Sequence, residues 1–419
     1  MPTLRSPITL MLVLAIGLTA IACRRAAESP ALPTPGPGPT DTLMPSTPAA
    51  TDQSTTPPAE SPPPTGEPIA TPELTPGPPP AGLVWNEPSG AFSVADAPAG
   101  AVSASSGGLA GQLFIVGTTD DEAASAVWRS ADGQAWQRIV LPDSADVALP
   151  AITDGPNGLA AVGFSYGAED PVPAGWHSRD GLAWQPISGD MGAGEMRVVA
   201  AGGDGYLALG SDPLTGEVLG WTSADGIAWS IGSPVSGIDG GTTLNGLSAV
   251  TDGYLAYGSA TSAEAAVWHS IDGVAWQAIA LPNGSDSTVN EIAVSSGLYV
   301  AVGARTDDEL AQSMAWYSLD GRSWEISVDG GDGAMYGVAP LGEGFVAVGA
   351  IELARFRFDA AAWLSADGRT WFRLADDPTF HQARMYDALP GGGGVVVIGE
   401  RSDELAEVSQ PTLWVARGE

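Results

Sequence analysis

The chain has 419 residues and a formal net charge of −33, and all of its 16 basic residues are Arg. A surface this acidic repels phosphate backbones and anionic headgroups, which argues against nucleic-acid binding. The only cysteine is Cys23, so no disulfide can form within the chain. Composition divides the chain into an apolar leader, a proline-rich stretch and a long zone rich in Gly, Val, Ala and Trp.

Residues 1–22 are predicted to be a lipoprotein signal peptide. Arg5 precedes an apolar run, Ile8–Leu18, which is too short to span a bilayer. The run ends at Ala20-Ile21-Ala22-Cys23, which resembles the lipobox of bacterial lipoproteins. The resemblance implies that Cys23 is lipidated and becomes the mature N-terminus, outside the cytoplasm, at the cell surface or in the periplasm. The alternative is an ordinary signal peptide with an incidental cysteine.

Residues 23–82 are predicted to be a disordered tether rich in Pro, Thr and Ser. Between Pro30 and Pro80 there are 18 prolines and no aromatic residue, so this stretch has nothing with which to build a core. Proline fixes φ and removes a backbone donor, which favours an extended, semi-rigid spacer. We expect the lipid to be the only membrane contact.

Residues 83–419 contain a repeat with the pattern Trp-x-Ser-x-Asp-Gly-x-x-Trp. Six copies occur, at Val127–Trp136, Gly175–Trp184, Gly220–Trp229, Val267–Trp276, Ala315–Trp324 and Ala362–Trp371. Their first tryptophans are 45 to 48 residues apart, which is the size of one propeller blade. Asp-Gly flanked by apolar strands predicts a tight hairpin turn.

A second motif, an apolar run ending in glycine, lies upstream of each copy and occurs seven times. Its glycines are Gly117, Gly163, Gly210, Gly258, Gly303, Gly349 and Gly399. The seventh unit has its first tryptophan, Trp414, but the chain stops before the second. Trp85 is the one tryptophan outside the repeats, so an N-terminal strand around it would complete the last unit.

These patterns predict an all-β fold, a seven-bladed β-propeller whose N-terminal strand closes the last blade. In the fourth unit the predicted strands are Leu244–Val250, Tyr254–Tyr257, Ala265–His269 and Ala275–Leu281. No apolar period of helical length appears after residue 80. We expect a monomer.

The repeat resembles the Asp-box, or BNR repeat, of sialidase-like propellers, with one residue fewer between Asp and Gly. In that family the box is a structural turn away from the active site. The resemblance therefore implies that the six box aspartates determine the fold: Asp132, Asp180, Asp225, Asp272, Asp320 and Asp367. It also implies that a sialidase would need three Arg, a Tyr–Glu pair and an Asp acid.

No catalytic set, cofactor or metal site is predicted. Arg138 follows a box directly, on an outer strand, where it cannot line the channel. His177 and His269 occupy a position that is Arg, Thr, Tyr or Leu in other units, which favours an exposed strand site over a metal ligand. An enzyme is therefore the less favoured reading.

One column of residues is a candidate binding site. Thirteen residues before each motif glycine, at the predicted start of the inner strand, stand Arg197, Asn245, Asn290, Tyr336 and Tyr386, with Ala104 and Pro150 in the first two units. Inner strands line a propeller axis, so these side chains should converge at one mouth of the channel, where they suit a sugar or peptide. The alternative is that they cap their own loops or fill the channel.

The sequence therefore favours a lipid-anchored propeller that binds, or acts as a scaffold for, a protein or glycan outside the cell. Two alternatives stay open: a sialidase-like glycoside hydrolase and an assembly factor for an envelope complex. All three rest on the analogy between folds, which does not fix function.

Overall fold

The computed structural model describes residues 82–87 and 99–418, apart from residues 107–108, 110, 119–123, 167–169, 204, 307–309, 355–356, 392 and 403–408. The predicted signal peptide, Cys23 and all of the predicted tether except residue 82 lie outside the described residues. The described chain forms seven four-stranded antiparallel sheets, which confirms the predicted all-β, seven-bladed propeller. Its only helical segment is the 3₁₀ turn Pro378–Phe380.

The strands of the first six blades follow one another along the chain. Blade 1 contains β2 (Ala99–Ser106), β3 (Leu113–Thr118), β4 (Ala124–Ser130) and β5 (Gln137–Ala145). Blade 2 contains β6 (Val147–Gly155), β7 (Gly158–Ser165), β8 (Val172–Ser178) and β9 (Gln185–Pro186). Blade 3 contains β10 (Glu195–Gly202), β11 (Gly205–Ser211), β12 (Val218–Ser223) and β13 (Ser233–Pro234).

The next three blades repeat this order. Blade 4 contains β14 (Thr243–Val250), β15 (Gly253–Ser259), β16 (Glu264–Ser270) and β17 (Gln277–Ser285). Blade 5 contains β18 (Ser287–Ser295), β19 (Leu298–Thr306), β20 (Ala311–Ser318) and β21 (Trp324–Asp332). Blade 6 contains β22 (Ala334–Leu341), β23 (Gly344–Ala354), β24 (Arg357–Ser365) and β25 (Phe372–Arg373).

Blade 7 joins the two ends of the described chain. It contains β26 (Ala383–Gly391), β27 (Gly394–Ser402), β28 (Ser409–Gly418) and, as its outer strand, β1 (Leu83–Asn86). β1 pairs antiparallel with β28, with Trp85 opposite Ala416. Trp85 is buried, and its ring packs edge-on against Phe380 at 5.1 Å between centroids. The predicted closing strand is confirmed.

The core consists of seven separate clusters, one at each interface between neighbouring blades. The cluster between blades 6 and 7, for example, contains Val346 and Val348 of one blade and Met385 and Trp414 of the other. Each inner strand contacts the inner strands of both neighbours, and β26 contacts β2. No blade can bury its apolar faces alone, so the stability of each blade depends on the closed ring.

A bulge interrupts the inner strand at the same place in five blades. In blades 3 to 7, one residue lies outside the ladder between the first and second strands; these residues are Arg197, Asn245, Asn290, Tyr336 and Tyr386. In blade 2 the two residues between Ala148 and Ala151 lie outside it. A bulge bends the strand and re-aims the extra side chain.

The backbone beside this bulge leaves no room for a side chain at the motif glycine. Gly303 pairs with Val289, the residue before the bulge in blade 5. A Cβ on Gly303 would lie 1.9 Å from the carbonyl oxygen of Thr288, which is backbone and has no room to move. The same collision, at 1.7 to 1.9 Å, would occur at Gly163, Gly210, Gly258, Gly349 and Gly399. Glycine is therefore required at this position in every blade where the contact is described.

Each Asp-Gly turn is held by the aspartate carboxylate. In all six copies one carboxylate oxygen accepts hydrogen bonds from the main-chain N–H groups two and three residues later, at 2.7 to 3.2 Å. These bonds lower the pKa of the Asp132 carboxyl, and they lower that of Asp320 to about 2. The glycine that follows has positive φ, 74° at Gly133, and contacts the preceding blade at Val396.

The first tryptophan of several repeats joins its blade to the preceding one. The indole N–H groups of Trp176 and Trp316 donate to the carbonyls of Pro142 and Pro282, at 2.9 and 2.8 Å. These prolines lie in the outer strands of blades 1 and 4. A proline there also blocks pairing of the exposed sheet edge with another chain.

The expectation that His177 and His269 are exposed is wrong. Both are buried, and His177 has no exposed surface. A Cβ on Gly226, the turn glycine of the next blade, would lie 2.6 Å from the His177 ring, so this turn covers the histidine. His177 Nε2 lies 3.1 Å from the carbonyl oxygen of Asn157, and burial lowers its pKa.

Gly303→Ala is expected to destabilise the propeller strongly, because its Cβ would collide with the Thr288 carbonyl. We expect the free energy of unfolding to fall by about 3 kcal/mol or more. Gly418→Ala is the matched control, since a Cβ there meets nothing within 4 Å. Thermal unfolding of both variants checks this, and equal midpoints would contradict it.

Candidate functional site

The two ends of the ring differ in what they carry. Within each blade, antiparallel order puts the Asp-Gly turn between the third and fourth strands at the end opposite to the start of the inner strand. We call the first end the turn face and the second the mouth face. The five column residues of blades 3 to 7 lie on the mouth face, and the box aspartates lie on the turn face. Ala104 pairs regularly with Ile115 and is not a bulge residue.

The two column asparagines link neighbouring inner strands. Asn245 Nδ2 donates to the Val289 carbonyl at 2.8 Å and to Thr288 Oγ1 at 2.9 Å. Asn290 Nδ2 donates to the Met335 carbonyl at 2.8 Å. Both acceptor carbonyls belong to the residue before the next blade's bulge. Because a carbonyl only accepts hydrogen bonds, the side-chain NH₂ group of each asparagine must be the one that faces it. Neither amide oxygen has a hydrogen-bond partner among the described residues.

Arg197 connects blades 2 and 3. It is exposed, forms an ion pair with Glu195 and lies over the ring of Phe164, 5.3 Å from its centroid. Phe164 in turn packs edge-on against Tyr166, at 5.1 Å between centroids. Tyr166 is 48% exposed. An arginine on one buried aromatic ring, with an exposed tyrosine beside that ring, therefore stands at this side of the mouth.

Tyr336 and Tyr386 meet on the other side, between blades 6 and 7. Their ring centroids are 6.0 Å apart, with 53° between the planes, and both rings are half-buried. The Tyr386 hydroxyl donates to Glu400 Oε1 at 2.5 Å. Burial and the Glu400 carboxylate raise the pKa of Tyr386, so its hydroxyl is neutral at physiological pH.

Arg384 completes this group. Its guanidinium lies 3.6 Å from the centroid of the Phe358 ring, and Nη1 is 3.9 Å from Glu400 Oε1, too far for a hydrogen bond. Its Nε is buried without a partner among the described residues. We call Tyr336, Phe358, Arg384, Tyr386 and Glu400 the mouth corner. It combines ring faces with a guanidinium that is paired with a carboxylate at ion-pair distance but makes no hydrogen bond to the described residues.

Sequence reasoning missed Arg384, Glu400 and Phe358. Arg384 pairs across strands with Glu400, whereas the corresponding pairs in blades 4, 5 and 6 are Thr243–Ser259, Thr288–Ala304 and Ala334–Ala350. Small or neutral residues thus give way to a charged pair in blade 7. The signal lay at the position paired with Glu400, on the N-terminal side of the candidate column. Glu195 and Arg384 are charged there, whereas blades 4, 5 and 6 have Thr243, Thr288 and Ala334.

Two carboxyl groups lie just below the mouth, each following a bulge residue. Glu291 Oε2 accepts from the Val338 main-chain N–H at 2.7 Å. Gly337 lies close to Asp387, since a Cβ on Gly337 would lie 2.9 Å from the Asp387 Cα. Burial raises the pKa of Glu291 well above its usual value, and the charge of Asp387 raises it further. The nearby Tyr257 hydroxyl also has a raised pKa, mainly through burial.

No metal site or membrane-spanning helix appears in the part of the chain that the structure describes. No three His, Cys, Asp or Glu side chains are grouped there in a way that suits a metal ion. Nor does that part contain a helix of the length and hydropathy needed to cross a bilayer.

No family model matches the chain, and no curated protein matches it. Solved structures of similar fold include the hydrazine synthase of Kuenenia stuttgartiensis (13% identity, 64% of this chain, 81% of that chain, TM-score 0.44). Two sialidases are also similar. One is that of Trypanosoma rangeli (12% identity, 75% of this chain, 59% of that chain, TM-score 0.40). The other is the endosialidase of phage phi92 (11% identity, 74% of this chain, 65% of that chain, TM-score 0.45). The chain spans less than two thirds of either sialidase. Sequence identities and TM-scores this low do not show which residues of the two proteins correspond, and they say nothing about function.

Glu291→Gln is expected to change how stability depends on pH. The folded-state pKa of Glu291 lies above its value in an unfolded chain, about 4.3. Its contribution to stability is therefore complete below that value and is lost as the pH rises through the folded-state pKa. The neutral amide has no such loss, so between about pH 5 and pH 8 the Tm of the variant should rise relative to that of the wild type.

The control for this measurement is Glu343→Gln, which changes an exposed carboxylate in a hairpin of blade 6. Its Tm should follow that of the wild type across the same range. A constant difference between Glu291→Gln and the wild type would show that Glu291 is not protonated in the folded protein.

Proposed function

We propose that this chain is a recognition propeller, built from Asp-box-like repeats, that is lipid-anchored through Cys23 outside the cytoplasm and binds a glycan at the mouth corner. The composition of the mouth corner favours a glycan as the ligand. A sugar has apolar ring faces that pack on aromatic rings, and its hydroxyls both donate and accept hydrogen bonds. The lipobox-like sequence and the proline-rich tether support the anchored location. A protein ligand is the alternative occupant.

The observation that carries this proposal is the state of Arg384. Its guanidinium is stacked on Phe358 but forms no hydrogen bond with the described residues. Buried or half-buried donors normally find a partner in the protein or in what binds it. Since the chain as a whole carries a charge of −33, a neutral glycan approaches this site more easily than an anionic one.

One observation favours a glycoside hydrolase as a second candidate. The Tyr386–Glu400 hydrogen bond beside Arg384 is the kind of pair that the sialidase-like resemblance implies. Arg401 is not available as one of the three clamping arginines, because it is already bound to Glu87 and to the carbonyls of His381 and Thr379. Hydrolysis of a panel of chromogenic glycosides, lost in Glu400→Gln, would establish this activity. No turnover by the wild type would exclude it for those glycosides.

The binding proposal predicts that Tyr386→Ala weakens glycan binding at least tenfold, equivalent to about 1.4 kcal/mol, because it removes a ring face and frees Glu400. The full-length protein would be applied to an array of neutral and acidic oligosaccharides and cell-wall polysaccharides. Arg384→Ala should weaken binding to the same ligands.

Tyr317→Ala is the matched control. The Tyr317 hydroxyl donates to Glu325 at 2.5 Å and Arg369 lies 4.8 Å from its ring centroid, so the same three residue types meet away from the mouth. This variant should bind as the wild type does. Equal losses in Tyr317→Ala and Tyr386→Ala would contradict the mouth corner, and no binding by the wild type would contradict a glycan ligand and favour a protein.

A further inference from the structure

The groups that can contact a ligand extend well beyond the mouth corner. Arg197, which is exposed and lies over the buried ring of Phe164, forms with the exposed Tyr166 a second aromatic–arginine cluster on the mouth face, in blades 2 and 3. The mouth corner lies in blades 6 and 7. In a ring of seven, these two clusters stand on opposite sides of the channel, with the inner strands of blades 4 and 5 between them.

The inner strands between the two clusters continue the same polar surface. Asn245 and Asn290 stand at the bulges of blades 4 and 5, half-exposed, each with its Nδ2 bound to the next blade. Their Oδ1 atoms are acceptors without partners in the described chain. A hydroxyl-rich ligand therefore meets a ring face, a donor or an acceptor in each blade from blade 3 to blade 7.

The series is interrupted in blade 2. Pro150 stands at the corresponding bulge of blade 2 and has neither a side-chain donor nor an acceptor. The polar surface is therefore an arc, not a complete circle. An arc suits an extended ligand that enters at one end and leaves at the other, whereas a ring of equal groups would suit a compact one.

We infer that the ligand is a linear, neutral oligosaccharide that lies along this arc and contacts Arg197, Asn245, Asn290, Tyr336, Tyr386 and Arg384 together. This inference rests on the proposed function and adds the length and charge of the ligand to it. Successive sugar units bind successive blades, so each added unit that reaches a further blade increases the affinity.

The test is the dependence of affinity on chain length. Isothermal titration of the full-length protein would use cello-, xylo-, laminari- and chito-oligosaccharides of two to eight units. For the series that binds best, the affinity of the hexasaccharide should exceed that of the disaccharide at least tenfold. Arg197→Ala should reduce this ratio to less than threefold, because it removes the far end of the arc.

Arg179→Ala is the control, since Arg179 is an exposed arginine in an Asp-Gly turn on the turn face. It should keep the full ratio between hexasaccharide and disaccharide. Equal affinities for both lengths, or an unchanged ratio in Arg197→Ala, would overturn the extended ligand while leaving a short glycan at the mouth corner. No binding of any length would contradict the proposed function itself.

Discussion

The contact between one carbonyl and one glycine in each of blades 2 to 7 is the constraint on which the rest of this molecule depends. In blade 5 the Thr288 carbonyl points at Gly303, where a Cβ would lie only 1.9 Å away. The inner strand reaches this arrangement by leaving one residue, Asn290, outside the ladder. A side chain released from pairing in this way is free to serve the mouth face. The positions of the column residues at the mouth are thus a consequence of how the first two strands of blades 3 to 7 fit together.

The turn face and the mouth face differ in the hydrogen-bond partners of their side chains. On the turn face, carboxylates such as Asp320 are saturated by main-chain N–H groups of their own turn, and the turn glycine seals the gap to the preceding blade. On the mouth face, side chains bridge blades and retain unused capacity, as Asn290 and Arg384 do. The structural turns and the proposed recognition site therefore occupy opposite ends of the ring.

Most of the fold was predictable because its signals are local and repeated. The Asp-Gly turns, the motif glycines and the unmatched tryptophans Trp85 and Trp414 predicted seven blades and the closing strand, and the structure confirms both. What the sequence hid depends on contacts between blades. The burial of His177 under the turn of the next blade is one case, and it cannot be read from one repeat.

The candidate site was predictable only in part, for the same reason. Counting back from the motif glycine identified Tyr336 and Tyr386 as neighbours, because both follow the bulge geometry. Arg384 and Phe358 escaped, since their cation–ring contact joins blade 7 to blade 6, and the position of Arg384 is Thr288 in blade 5 and Ala334 in blade 6. A crystal structure of the protein with its bound oligosaccharide tests the central claim most directly. The account predicts sugar density against Tyr386 and Arg384 on the mouth face, and density on the turn face or the outer rim would contradict it.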